Sequence, residues 1–385
     1  MTLKIGIPKE IKPGENRVSI TPDIVSKLIK KGFKVSIEKS AGLKAGFIDE
    51  KYIEAGAEVI EDTNSLFNNS DIILKVQRPL FNSELNLSEL EIMKPGTLVI
   101  SLAYALHYPE VVKAAAEKGI NFFSMDMIPR TTLAQKMDAL SSQANIAGYK
   151  SVILTANYLG KIFPLLMTAA GTIQPAKVVI MGAGVAGLQA VGTAKRLGAI
   201  VEVSDVRPSV KEEVESLGGK FIEVKHDENL QDSGGYAKEA SAEFLQKQKE
   251  LIFKHITEAD IVITTALVPG KKAPILVTEE MIKNMRPGSV VLDMAVEFGG
   301  NCEISEEGKT IVKYGVTIIG EPNLPSLVAT HSSEVYSKNL LNLLDHIVKD
   351  GKLFPKPEDE IAKGALLTFN GKIINDRINN ILNNN

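Results

Sequence analysis

The chain has 385 residues, 44% hydrophobic and 24% charged, an ordinary globular composition with material for two or three domains, which excludes a largely disordered chain. Lys and Arg total 44 against 47 Asp and Glu, a net charge of −3, so the basic footprint of a nucleic-acid binder is missing, as are Lys/Arg runs for docking an anionic membrane surface. Cys302 is the only cysteine; it can form no internal disulfide, implies no oxidising compartment, and reads as a structural thiol rather than a nucleophile.

The N-terminus, Met1-Thr2-Leu3-Lys4-Ile5-Gly6, lacks the basic-then-apolar pattern of a signal peptide and reads as a first strand. Short apolar runs at residues 3–7, 33–37, 71–76, 97–102 and 120–125 predict buried strands. Helical patterns lie between them. Thr21-Pro22-Asp23 opens one helix with an N-cap and a proline at the first helical position, and Gly32 closes it. A second covers residues 109–118 and is again closed by a glycine. Strand–helix alternation implies a parallel sheet with helices on its faces. The most membrane-like stretch, residues 153–171, is interrupted by Asn157, Lys161 and Pro164 and never reaches about 18 uninterrupted apolar residues. It predicts a buried connecting helix and no direct membrane insertion.

A second unit begins near Lys177. Residues 177–181, 200–204, 220–224, 260–264, 289–292 and 316–319 predict strands, with a helix over 185–197, a full doubly wound set. Past Leu324 a helical pattern runs to about Val348 and is expected to return the chain to the first domain. The predicted domains are therefore a discontinuous catalytic-type α/β domain, 1–143 plus 325–385, and a nucleotide domain, 144–324. Residues 366–374 predict a hairpin around Asn370-Gly371, a strong two-residue turn signal, and the Asn-rich end from Asn379 is expected to fray.

The strand at 177–181 runs into Gly182-Ala183-Gly184-Val185-Ala186-Gly187, a G-x-G-x-x-G sequence in strand–turn–helix context. Gly182 allows the tight turn, Gly184 close approach of a pyrophosphate to the backbone, and Gly187 close helix–strand packing, while the helix N-terminus faces the phosphate charge. Asp205 ends the next strand, placed to accept hydrogen bonds from the adenosine ribose hydroxyls and to repel the 2′-phosphate of NADP. Val206 and Arg207 follow on the same loop, with Arg207 expected to pack near the adenine or cap a helix. This predicts a Rossmann NAD(H)-binding domain beside a Rossmann-like/flavodoxin-like domain: an α/β protein of two doubly wound parallel-sheet domains joined by long helices.

The segment Arg130-Thr131-Thr132-Leu133-Ala134-Gln135-Lys136-Met137-Asp138-Ala139-Leu140-Ser141-Ser142-Gln143-Ala144-Asn145-Ile146-Ala147-Gly148-Tyr149 closely resembles a signature of the NAD(H)-binding subunits of proton-translocating nicotinamide nucleotide transhydrogenases. The resemblance implies that Arg130, Gln135, Asp138 and Ser141 reach the nicotinamide end of NAD(H). An Arg130–Asp138 pair is expected to hold this loop rigid. Asp232-Ser233-Gly234-Gly235-Tyr236-Ala237-Lys238 resembles the family's mobile loop, with Gly235 and Tyr236 folding over nucleotide. Thr264-Thr265-Ala266-Leu267-Val268-Pro269-Gly270 follows a strand on the nucleotide face, which brings Ala266 and Leu267 to the cofactor. The similarity extends through Asp293, Gly300, Asn301, Cys302 and Asn323-Leu324-Pro325-Ser326, over roughly residues 1 to 348.

Alanine dehydrogenases share Gly6-Ile7-Pro8-Lys9-Glu10 and Asn16-Arg17-Val18. Arg17 and Lys75 match positions that hold the substrate carboxylate in that family. Its catalytic histidine would fall near Tyr104, three residues from His107, and its catalytic aspartate aligns with Glu297. Those departures weigh against an amino-acid dehydrogenase, though a one-step loop shift would bring His107 into place. The five histidines, His107, His226, His255, His331 and His346, show no metal-ligand spacing.

The resemblance implies a Si-specific/Re-specific, proton-translocating enzyme in which NADH on this chain passes hydride to NADP⁺ on a partner. That chemistry needs orientation and exclusion of water rather than a general acid or base. It also implies a homodimer, an NADP(H)-binding subunit, membrane-spanning subunits, no metal, and a cytoplasmic chain peripheral on the inner membrane. An alanine dehydrogenase and a non-catalytic NAD-binding regulatory module remain as alternatives.

Overall fold

The computed structural model describes residues 2–223, 242–349, 352–353 and 357–384. The chain forms two compact units, Met1–Gln143 with Pro325–Asn385, and Ala144–Leu324.

The first unit is built on an eight-stranded sheet. Its strand order is Lys372–Ile373, Leu366–Phe369, Asn121–Ser124, Leu98–Leu102, Ile72–Gln77, Lys4–Ile7, Lys34–Glu38 and Glu58–Ile60. The last six are parallel; Leu366–Phe369 joins antiparallel to Asn121–Ser124. Alternating side chains feed two cores, as the two-residue strand period requires. Ile72, Leu74 and Ile100 pack with Tyr336, Leu340 and Leu343 of the Ala329–Ile347 helix. Ile73, Val99 and Phe122 pack on the other face with Val112 and Ala115 of the Pro109–Glu117 helix. Burial of such side chains stabilises by roughly 1.5–3 kcal/mol each. The hydroxyl of Tyr336 also donates to the Lys75 carbonyl at 2.8 Å, which fastens the returning helix to the central strand.

One local expectation differs from what forms. Thr21 stands at the N-cap of the Pro22–Lys30 helix, but its hydroxyl lies 3.2 Å from Ser337 Oγ and makes no cap. Pro22 has no N–H, and the Ile24 and Val25 amides both reach the Thr21 carbonyl, so few amides are left for a side chain to satisfy. The hairpin forms where its turn residues place it. Between Leu366–Phe369 and Lys372–Ile373, Asn370 and Gly371 both take positive φ, 47° and 75°, as the tight turn requires.

The second unit has a seven-stranded sheet in the order Lys220–Phe221, Ile200–Ser204, Lys177–Met181, Ile261–Thr264, Val290–Asp293, Val316–Ile319 and Thr310–Lys313. The first six are parallel, in the doubly wound dinucleotide-binding order. Thr310–Lys313 adds antiparallel at the edge. The sequence does not predict it, because an edge strand with outward side chains such as Val312 lacks a buried periodicity.

Residues 153–171 are not one buried helix. The Ala139–Tyr158 helix, which contains the boundary between the units, stops at Tyr158. Leu166–Thr168 and Gly171–Ile173 then form an exposed antiparallel hairpin. Gly160 and Pro164 end the helical register, and Gly171 takes φ 131°, a conformation open to glycine. Among the described residues no helix is long and apolar enough to cross a membrane.

Candidate functional site

The glycine-rich turn leaves the central Lys177–Met181 strand and enters the Val185–Arg196 helix. Gly182 has φ 111°, and a Cβ there would stand 2.4 Å from Thr265 Oγ1. A Cβ on Gly187 would stand 1.9 Å from the Gly182 carbonyl oxygen, so the first helical turn packs directly on the turn. Gly148 plays a similar role on the preceding helix: a Cβ there would meet the Ala186 carbonyl oxygen at 2.1 Å. Gly184 differs from all three. A Cβ there meets nothing within 4 Å, and its backbone, φ −80°, suits any residue. The space in front of Gly184 is open, and the helix that begins beside it has no side-chain cap. Open space, unsatisfied amides and the positive helix end fit a pyrophosphate.

Asp205 follows the Ile200–Ser204 strand. Its Oδ2 accepts from the Ala183 amide at 2.7 Å, which ties the acid to the glycine turn. Arg207 neither caps a helix nor projects free: its Nε and Nη2 lie 3.0 Å from Asp205 Oδ1 and Oδ2. Burial works to raise the Asp205 pKa, but the Arg207 guanidinium and the Ala183 amide outweigh it and hold the carboxyl below its ordinary range. The acid is therefore ionised at neutral pH, as a ribose-hydroxyl acceptor must be. Val206 between them is almost wholly exposed.

The rim after Ile261–Thr264 carries Thr265, Ala266 and the exposed Leu267. The Thr265 hydroxyl donates to the Gly182 carbonyl at 3.1 Å, so this rim braces the glycine turn. No sequence signal marks Thr265 as that brace, because its partner is 83 residues away.

In the first unit, Arg130 and Gln135 are exposed, while Asp138 and Ser141 are half-buried. Asp138 does not pair with Arg130. Its Oδ1 accepts from the Ser141 amide at 2.9 Å and its Oδ2 from the Ser141 hydroxyl at 2.6 Å, which caps the Ala139–Tyr158 helix. Among the described residues Arg130 has no ion-pair partner. The segment is held instead by the buried Ala134 and Met137, and by Asn339, whose amide donates to the Lys136 carbonyl at 2.9 Å and accepts from Ser142 Oγ at 2.7 Å.

Arg17 and Lys75 already carry internal carboxylates. Arg17 Nε and Nη2 lie 2.8 and 2.6 Å from the two Glu15 oxygens, and its Nη1 lies 2.8 Å from Gln143 Oε1. Lys75 is fully buried, 2.8 Å from Glu89 and 3.5 Å from Glu10. Gln77, two residues further along the strand, is the side chain that shares Glu15 with Arg17, at 2.7 Å. Burial pushes the Glu10 carboxyl up to about 7 despite the ammonium of Lys75. Tyr104 takes φ 47° in a turn whose amide donates to Asp126 Oδ1 at 3.1 Å and whose carbonyl accepts from the His107 amide at 2.8 Å.

Gly235 and Tyr236, with the rest of 232–238, and His226 lie outside the described residues. His255 Nδ1 stands 2.6 Å from Glu202, and His346 Nε2 stands 2.9 Å from Asp359. Among the described residues no group of His, Cys, Asp and Glu is arranged to hold a metal ion. Burial pushes the Cys302 thiol up to about 11, so it is no thiolate at neutral pH.

Residues 6–147 match the alanine dehydrogenase/PNT N-terminal domain, and residues 151–376 the alanine dehydrogenase/PNT C-terminal domain. The chain is 48% identical to the first segment of NAD(P) transhydrogenase subunit alpha of Rhodospirillum rubrum, a separate polypeptide there, over 97% of this chain and 98% of that one. It is 32% identical to the alanine dehydrogenase of Methanococcus maripaludis, over 96% and 94%. A solved transhydrogenase structure from Sinorhizobium meliloti superposes with a TM-score of 0.86 at 44% identity, over 96% and 99%.

Proposed function

We propose that this chain, which belongs to the alanine dehydrogenase/PNT family, is the NAD(H)-binding component of an NAD(P) transhydrogenase. The observation that carries the reading is the strand–Gly182–Gly187–helix turn tied to an ionised Asp205 by the Ala183 amide, in a chain 48% identical to a transhydrogenase alpha subunit segment over nearly its whole length. The open space at Gly184 fits the pyrophosphate and Asp205 fits the ribose. When bound, NADH supplies the hydride that reduces NADP⁺ on a separate subunit.

The roles of this chain's own residues follow from their chemistry. Amides of the first helical turn hold the pyrophosphate, and Asp205 accepts from the adenosine ribose hydroxyls, with Val206 and Arg207 beside it. Ala266 and Leu267 line the rim after the Ile261–Thr264 strand. Arg130, Gln135, Asp138 and Ser141 orient the nicotinamide end, with Ser141 held in place by Asp138. Gly235 and Tyr236 cover the nucleotide. No residue needs to move a proton, because hydride exchange between two nicotinamides releases none; orientation and exclusion of water are the protein's contribution.

The relative's designation as one segment of a subunit alpha supports further chains: an NADP(H)-binding subunit and membrane-spanning subunits that couple the reaction to proton translocation, with this chain cytoplasmic and peripheral on the inner membrane. The Leu166–Thr168/Gly171–Ile173 hairpin exposes Leu165, Leu166, Met167 and Ile173, which supports a homodimer, since apolar side chains clustered on one surface mark an interface. The same reading carries no metal and the Si-specific/Re-specific class. The test is NADH-dependent reduction of NADP⁺ by the chain mixed with a transhydrogenase NADP(H)-binding subunit. The second reading, an alanine dehydrogenase, is tested by pyruvate, ammonia and NADH.

A further inference from the structure

Within the second unit, the rim that follows Ile261–Thr264 lies on the opposite side of the central Lys177–Met181 strand from Asp205. In a doubly wound sheet the adenosine half of a dinucleotide sits over the strands on one side of the order reversal, and the nicotinamide half over those on the other. Ala266 and Leu267 therefore belong to the nicotinamide half. This rim is a loop whose backbone polar groups need partners, because an irregular segment cannot satisfy its own amides and carbonyls.

Those partners come from one side chain. Asn301, fully buried, accepts from the Ala266 amide at its Oδ1, 3.0 Å away. Its Nδ2 donates to the Ala266 carbonyl at 2.9 Å and to the Pro274 carbonyl at 2.8 Å. The amide group thus pairs both polar groups of residue 266, as a neighbouring strand would, and pins the two ends of the rim together.

Asn301 is itself rigidly seated. Its carbonyl accepts from the Leu276 and Val277 amides at 2.7 and 3.0 Å. The two residues before it, Gly299 and Gly300, take φ of 100° and 75°, and a Cβ on Gly300 would stand 2.8 Å from Asp293 Oδ2. That same oxygen accepts from the Cys302 amide at 2.9 Å and from Ser305 Oγ at 2.6 Å. The buried Asp293 ends the neighbouring strand, so the clamp is anchored in the sheet.

We infer that Asn301 is a positioning residue for nicotinamide-nucleotide binding: its side-chain amide fixes the Ala266 peptide and the Thr265–Pro274 rim against which the nicotinamide half is held. The inference rests on the nucleotide-binding reading above. Asparagine alone supplies this pattern at this length. An aspartate of the same shape would set a carboxylate oxygen against two carbonyl oxygens, and alanine would leave the Ala266 and Pro274 groups without partners.

The test is equilibrium titration of the full chain, wild type, Asn301→Asp and Asn301→Ala, with NADH and separately with ADP. ADP carries the adenosine and diphosphate held at Gly182–Gly187 and Asp205 but has no nicotinamide half. Both variants are expected to bind NADH about tenfold or more weakly, since two or three buried polar groups lose their partners, while ADP affinity stays as in the wild type. Unchanged NADH affinity, or parallel loss of NADH and ADP as a merely fold-supporting residue would give, overturns the inference. Failure of the wild type to bind NADH would instead overturn the nucleotide-binding reading on which it rests.

Discussion

The guanidinium of Arg207 lies side-on to the carboxylate of Asp205, with two nitrogens each 3.0 Å from a different oxygen. Arg207 is more than half exposed whereas the Asp205 side chain is nearly buried, so the cation shields the acid from one side and leaves it anchored to Ala183 on the other. NADH is expected to bind much more tightly than NADPH, because a 2′-phosphate would be set against an ionised carboxylate. Asp205→Ala should weaken NADH binding by about 1–3 kcal/mol and erase most of the preference. Arg207→Ala should sharpen it, by removing the cation that partly offsets the repulsion. Fluorescence titration with both nucleotides checks this; equal affinities in the wild type would contradict it.

Gly184 and Gly187 make opposite predictions although they sit in one motif. A methyl group on Gly184 meets no protein atom, so Gly184→Ala should unfold at the wild-type temperature and yet bind NADH far more weakly, because the methyl occupies the space proposed for the pyrophosphate. Gly187→Ala drives a methyl into the Gly182 carbonyl and should lower the unfolding temperature as well. Calorimetry beside NADH titration separates the two. A Gly184→Ala protein with normal affinity would show that the phosphates lie elsewhere.

Gln135 is exposed, so replacing it leaves the core untouched. If it orients the nicotinamide, Gln135→Asn should slow hydride transfer much more than it weakens NADH binding, since displacement of about 1 Å can cost on the order of 10²-fold in rate. Stopped-flow transhydrogenation with the NADP(H)-binding partner gives the rate. A wild-type rate would remove the 130–141 segment from the reacting centre.

Glu10 predicts a pH effect on stability. Its carboxyl is pushed up to about 7 in the folded chain against 4.5 as an ordinary group. Between those values the folded form keeps a proton that the unfolded form has lost, so stability falls as pH rises through that window. Glu10→Gln has no proton to lose, and Lys75 keeps Glu89 at 2.8 Å. The variant's unfolding temperature should gain on the wild type by about several degrees between roughly pH 5 and pH 8. A difference that is flat with pH would place the proton elsewhere.

Both parallel sheets, the glycine turn and Asp205 are legible in the sequence because each is a local pattern: apolar runs of strand length, a turn only glycine allows, an acid at a strand end. The hairpin at residues 166–173 is not, since an apolar stretch looks alike as helix or as exposed strands until Gly160 and Pro164 are given their full weight. Nor is the use of the ionic side chains. Asp138 and Arg130 have the charges of a pair, but a helix start offers Asp138 the Ser141 amide and hydroxyl three residues on. Lys75 reads as a ligand for substrate until Glu10, far away in sequence, is seen beside it. The Asn301–Ala266 clamp likewise joins residues 35 apart that no periodicity connects.

The most direct measurement of the central claim compares two reactions of the same preparation. With a transhydrogenase NADP(H)-binding subunit added, NADH-dependent reduction of NADP⁺ should appear, and it should vanish when either protein is left out. With pyruvate and ammonia in place of the partner and NADP⁺, NADH should not be consumed. No transfer with the partner, together with alanine formation by the chain alone near an ordinary enzymatic rate of about 10 s⁻¹, would contradict the account and make the chain an amino-acid dehydrogenase.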